Sequence, residues 1–278
     1  MTAATSLEPR TLGTLRYHVG GSGEPLLLLH GLGGSTGNWA ELLPALVERF
    51  RVVAVDWPGH AGSGRLPQGA GTTDFAAAAA GVLEAERLES ALVAGHSFGG
   101  QVALRLAHGR PDLVGGLLLV SPAGIKTTTR GARALVVTAA VVRPGRFVAP
   151  FRDRYAASGW YRRALFRPWF VSDAGALTPS AAHALLDDVR VHTDTLTAGR
   201  AMLADDPRQD LDAITCPVVL VWGARDAQLP LEDAFEYARR LRAKLRLVAD
   251  CGHLAIVERP HAVLDAIEEL ARSGSRSG

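Results

Sequence analysis

The sequence predicts an α/β fold in which a mostly parallel sheet is covered by helices on both faces. Two observations carry that expectation. Between residues 11 and 123, short runs that are apolar along their whole length alternate with stretches of helical period, and Gly-rich turns close the runs. The alternation stops near Lys126 and resumes at Pro217, so a segment of different character interrupts it. A strand that is apolar on both faces is buried on both, as in a parallel sheet sandwiched between helices.

The elements follow in order. Residues 12–19 read as an antiparallel edge strand of a hairpin, with Gly20, Gly21 and Gly23 making its turn. Buried strands are expected at 26–29, 52–55, 91–94 and 117–120, and helices at 39–50, 75–88 and 101–108, the last stopped by Pro111. The interrupting stretch, 127–205, is rich in Ala, Leu and Arg. Breakers at Pro144, Gly145, Pro150, Gly159, Pro168 and Pro179 divide it into several short helices. Strands then return at 218–221 and 245–248, with helices at 231–241 and 261–271. Residues 273–278 are only Gly, Ser and Arg and read as a disordered tail.

Composition narrows the class. A chain of 278 residues, 47% hydrophobic and 21% charged, suits one large globular domain or a core carrying an insert. The net charge of +2 lacks the basic excess of a nucleic-acid binder. The longest uncharged apolar patch, 134–142, is far short of a bilayer span, so no transmembrane helix is expected. The first eight residues lack the basic start and apolar core of a secretion signal, which places the protein in the cytoplasm. Cys216 and Cys251 are the only cysteines, and neighbouring parallel strands would hold them at opposite sheet ends, about 15 to 20 Å apart, so no bridge is expected. Charge is unevenly spread: residues 126–204 hold 12 basic and 5 acidic residues, a net +7 against −5 elsewhere.

The chemistry begins at Gly95-His96-Ser97-Phe98-Gly99-Gly100, set between the run 91–94 and a helical stretch. A serine on a sharp strand-to-helix turn needs small residues two before and two after it, because the backbone is strained there. Gly95 and Gly99 meet that need, although a Gly-rich turn with a capping serine would show the same residues. A hydroxyl is a weak nucleophile and requires a base, itself oriented by a third group. The loops after 218–221 and 245–248 offer Asp226 and His253, on the sheet edge that Ser97 shares. Asp250 is a rival carboxylate, three residues from His253 on the same strand end.

With motifs spread from His30 to Pro260, the chain resembles the α/β-hydrolase fold superfamily, nearest its small lidded serine esterases. The resemblance implies a doubly wound, mostly parallel sheet of about eight strands with a helical lid inserted after strand six. The core would comprise 1–125 and 205–272, and the lid 126–204. Ser97 then matches the nucleophile, His253 the general base and Asp226, reaching from a neighbouring strand, the orienting acid. The oxyanion donors would be the backbone N–H groups of Phe98 and, in the loop His30-Gly31-Leu32-Gly33-Gly34, of Leu32. His30 and His60 match structural positions, and His96 is either a packing residue or a pocket wall. Candidate pocket residues are His30, Gly31, His96, Trp160, Phe166 and Trp169, with Tyr161 and Phe170 in the same aromatic group.

The implied function is hydrolysis of a carboxylic ester, lactone or thioester through an acyl-enzyme. The alternatives are carbon–carbon hydrolysis of the ring-cleavage type with the same triad, or a non-hydrolytic ligand-binding or cyclase descendant. Serine at the turn, where epoxide-opening and carbon–halogen-cleaving relatives place aspartate, argues against those two activities. No metal-ligand spacing occurs, and the glycines at 31, 33 and 34 lack the lysine and hydroxyl of a phosphate cradle, so no cofactor is expected. The basic insert fits an anionic or carrier-bound substrate, and equally a solvated charged face. A membrane surface could be met through Arg143, Arg146, Phe147, Phe151, Arg152 and Arg154, although Pro and Gly break any single amphipathic helix there. The expected assembly is a monomer or homodimer acting on a small molecule.

Overall fold

Alternation along each strand divides the core in two. Leu27, Leu29, Val53, Val55, Val93, Leu117, Leu119 and Leu220 belong to one buried cluster, and Leu26, Leu28, Val52, Ala54, Leu92, Leu118, Val120 and Val221 to the other. Each Leu and Val among these gains about 1.5 to 3 kcal/mol on burial, so a central strand without polar positions is stable only between two helical layers. The computed structural model describes residues 7–125, 147, 149–167, 170–187 and 191–274.

The strands are β1 (Glu8–Leu12), β2 (Leu15–Gly20), β3 (Glu24–Leu29), β4 (Phe50–Val55), β5 (Ala91–His96), β6 (Val114–Val120), β7 (Val218–Gly223) and β8 (Lys244–Val248). They form one sheet in the order β1-β2-β4-β3-β5-β6-β7-β8. The pairs β1–β2 and β2–β4 are antiparallel and the rest parallel. The helices are α1 (Leu43–Leu46), α2 (Thr72–Ala85), α3 (Phe98–Gly109), α4 (Arg152–Ala157), α5 (Gly159–Phe166), α6 (Pro179–Asp187), α7 (Thr195–Ala204), α8 (Leu231–Leu241), α9 (Ala255–Glu258) and α10 (Pro260–Gly274). Helices α2, α3 and α8 bury residues in the first cluster; α9 and α10 do so in the second. The sheet is therefore doubly wound, as the sequence predicts, and α4 to α7 follow its sixth strand.

Three local expectations need correction. The single strand at 12–19 is two, because the chain reverses at Gly13 (φ +57). The glycines after it make no hairpin, since β2 pairs with β4 and not with β3. Gly21 serves close approach instead: a Cβ there would lie 2.3 Å from the Phe50 carbonyl oxygen. The helix at 39–50 is only a 3-10 turn at Thr36–Trp39, capped by Ser35, and the single turn of α1. Pro44 has no N–H for a continuing ladder and fits only the first turn of a new helix. Finally, α10 runs to Gly274, two residues into the expected tail; 275–278 lie outside the described residues.

Candidate active site

Ser97 sits at the turn between β5 and α3 with φ 54 and ψ −116, a left-handed conformation costly for any residue with a Cβ. Neighbouring backbone compels it. The Ser97 N–H donates to the Val120 carbonyl (3.0 Å), and the Ser97 carbonyl accepts from Ala123 (3.0 Å) and Gln101 (3.1 Å). A Cβ at Gly95 would meet the Gly99 carbonyl oxygen at 2.5 Å, and one at Gly99 would meet that of Leu29 at 2.1 Å. The turn thus aims the N-terminus of α3, beginning with Phe98, at the space beside the hydroxyl, where its first N–H groups have no helical acceptor.

The loop after β3 passes over this point. A Cβ at Gly31 would come within 3.3 Å of the Ser97 Cβ and 2.9 Å of the His96 ring, so only glycine lets the loop holding Leu32 approach so closely. Two histidines shape that loop. Buried His30 donates from Nδ1 to the Gly31 carbonyl (2.7 Å) and accepts at Nε2 from the Trp57 N–H (3.1 Å). His60 donates to the Pro58 carbonyl (3.1 Å) and accepts the Gly33 N–H (3.0 Å). Burial drives His30 down to about 4, so it stays neutral while it holds the loop.

Asp226 and His253 come from the ends of β7 and β8. The Asp226 carboxylate accepts from His253 Nδ1 at 2.8 Å on one oxygen, and from the N–H groups of Gln228 (2.8 Å) and Leu229 (2.9 Å) on the other. Burial pushes this carboxylate up, but the His253 charge and the three hydrogen bonds outweigh it and hold it below its usual range. Asp250 instead pairs with Arg225 (2.8 Å), both well exposed. His96 packs under His253, its ring 4.9 Å away, and its Nε2–H donates to the His253 carbonyl (3.0 Å). Burial first, and then the His253 charge, drive His96 down to about 3, so it supports His253 as a neutral, buried ring.

Of the aromatic pocket candidates, Phe166 is buried in the second core cluster. Trp160 stands 69% exposed, edge-on to Tyr161 at 4.9 Å. Six residues from Phe166 along α5, it points about 120° away around the helix. Trp169 lies outside the described residues. Among the described residues there is no His/Cys/Asp/Glu group that could hold a metal ion, and no helix long and apolar enough to cross a membrane. Both cysteines are free.

Two residues that the sequence pattern did not mark tie the insert to this site. His192 accepts the Ala61 N–H at Nδ1 (3.0 Å) and donates from Nε2 to the Gly33 carbonyl (2.9 Å), its ring 5.2 Å from that of His60. Buried Glu258 accepts the N–H groups of Ser172 (2.6 Å), Asp173 (3.1 Å) and Gly252, the residue before His253. No periodicity betrays either one, because each bonds a loop far away in sequence: His192 at Gly33 and Ala61, Glu258 at Ser172 and Asp173.

Comparison with known proteins agrees with the fold. The chain belongs to the alpha/beta hydrolase family, whose model matches residues 26–266. It is 34% identical over 254 residues to a pimeloyl-[acyl-carrier protein] methyl ester esterase of Aromatoleum aromaticum, covering 89% of this chain and 98% of that one. It is 32% identical over 256 residues to the dihydrolipoyllysine-residue acetyltransferase component of an acetoin cleaving system of Cupriavidus necator. That match takes in 88% of this chain but only 63% of the longer relative. Among solved structures, E-2-(acetamidomethylene)succinate hydrolase superposes with a TM-score of 0.78 at 19% identity, covering 96% and 99% of the two chains.

Proposed function

We propose that the protein is a serine hydrolase that cleaves a carboxylic ester, lactone or thioester through an acyl-enzyme. The observation that carries this reading is the 2.8 Å hydrogen bond from His253 Nδ1 to a buried carboxylate that two further N–H groups also fix. With Nδ1 so engaged, Nε2 is the nitrogen left for a proton, and Ser97, on the adjoining strand-to-helix turn, is the hydroxyl to lose one. Ser97 Oγ attacks the carbonyl carbon as its proton passes to His253; the carbonyl oxygen becomes an oxyanion, met by the N–H groups of Phe98 and Leu32. The imidazolium then protonates the leaving alcohol or thiol, water enters, and the same ring takes the water proton and returns it to Ser97 as the acid departs. Removing one such donor costs about 3 to 4 kcal/mol of transition-state stabilisation, and backbone donors have no side chain to misplace.

A chain-length series of aryl esters, thioesters and lactones tests the reading. Turnover should fall by roughly a thousandfold or more in Ser97→Ala with folding intact. Absence of ester turnover, with cleavage of a carbon–carbon bond beside a carbonyl that still depends on Ser97, would replace it with the carbon–carbon hydrolase reading. Neither activity would leave a ligand-binding descendant.

A further inference from the structure

Five large aromatic side chains stand exposed among the described residues, and four of them fall within one short stretch of the insert. They are Phe147 (59% exposed), Phe151 (57%), Trp160 (69%) and Phe170 (44%). The same stretch, 147–170, holds five arginines, at 152, 154, 162, 163 and 167, against one acid, Asp153. Among the described residues no carboxylate pairs with Arg154, Arg163 or Arg167. On α4 and α5 the two kinds of side chain meet, where Phe151, Arg154, Tyr155 and Tyr161 line one hollow. The Arg154 guanidinium lies 5.4 Å from the centre of the Tyr161 ring, and Tyr161 meets both Trp160 and Tyr155 edge-on at 4.9 Å. A monomer seldom leaves so large an aromatic area uncovered unless something binds there.

We infer that the α4–α5 surface of the insert is a docking surface for an anionic lipid bilayer. Complementarity selects this partner. Arginines without carboxylate partners suit phosphate headgroups, and the exposed Phe and Trp rings suit the boundary between headgroups and acyl chains. An acidic protein would answer the arginines but leaves four protruding aromatic rings unexplained. Because α4 and α5 are short, contact is made by a cluster of side chains on two helices and not by one long amphipathic helix. The segment leaving α5 reaches the candidate active site: the carbonyl of Phe170, four residues after the helix, accepts the N–H of Leu254, next to His253, at 3.1 Å. A bilayer bound here would hold membrane-dissolved substrate beside that site. The inference does not depend on the role of Ser97, since its readout is binding.

Co-sedimentation of the protein with vesicles tests it, using phosphatidylcholine alone and phosphatidylcholine mixed with phosphatidylglycerol. The protein should sediment with the mixed vesicles only, and less so as salt rises. Each basic residue near an anionic surface contributes about fivefold, so replacing Arg154, Arg163 and Arg167 together by Gln should weaken binding roughly a hundredfold. Phe151→Ala with Trp160→Ala should weaken it about tenfold or more, with thermal unfolding unchanged. Equal sedimentation with both vesicle types, or none with either, overturns the proposal. So does a dimer that Trp160→Ala disperses without any change in vesicle binding, which would make the patch a contact between copies of this chain.

Discussion

The sheet edge and the insert hold the candidate site by different means. At the edge, position is set by backbone: Ser97 is pinned by main-chain hydrogen bonds, and Gly95 and Gly99 fill spaces that no Cβ can enter. The insert is joined by backbone, with the Gly59 carbonyl accepting the N–H groups of Thr193 and Asp194, and also by two side chains: Glu258 answers backbone on both sides of the joint, and His192 reaches from the insert to Ala61 and Gly33. Geometry written in backbone and glycine tolerates no substitution. The two side-chain ties, by contrast, can change without loss of the sheet.

Breaking the rigid half should have the largest effect. In Gly99→Ala the new Cβ would lie 2.1 Å from the Leu29 carbonyl oxygen, so urea unfolding should show a loss of about 3 kcal/mol or more. A loss below about 1 kcal/mol would mean that the turn is looser than described.

Acid sharpens the comparison next, because buried neutral rings lie on the sheet side. His30 and His96 are held at about 4 and about 3, against an ordinary 6.5. Below about pH 6.5 the unfolded chain therefore binds protons that the folded one does not. Stability falls by about 1.4 kcal/mol per pH unit for each ring until the folded values are reached. Unfolding followed at about pH 7 and about pH 5 should show this loss, and His96→Asn should reduce it by roughly half. A pH difference identical in that variant would remove His96 from the account.

The smallest effect is expected at the insert. His192→Phe leaves the Gly33 carbonyl and the Ala61 N–H without this partner, a cost of about 1 to 2 kcal/mol. Because Gly33 adjoins Leu32, whose N–H is the proposed oxyanion donor, the proposal predicts that kcat falls roughly tenfold while KM changes little. A change confined to KM would place His192 in substrate binding instead.

The same contrast governs what could be read beforehand. The central strands were legible because their runs are apolar on both faces, and the turn at Ser97 because glycine two before and two after marks a backbone constraint. The neighbours of His253 followed from chain order, since β7 and β8 end on one edge. What escaped is tertiary. Nothing local says that Pro44 starts a new turn, that Gly13 reverses the chain, or that Trp160 faces water. His192 holds Ala61 and Gly33, both more than 100 residues earlier, so only the folded chain reveals what it holds.

Intact-protein mass spectrometry after exposure to a fluorophosphonate probe tests the central claim most directly. The account predicts one adduct, on Ser97, formed roughly a thousandfold or more slowly in Asp226→Asn, which leaves the His253 ring misoriented. No adduct on Ser97, or labelling at the same rate in Asp226→Asn, would contradict it.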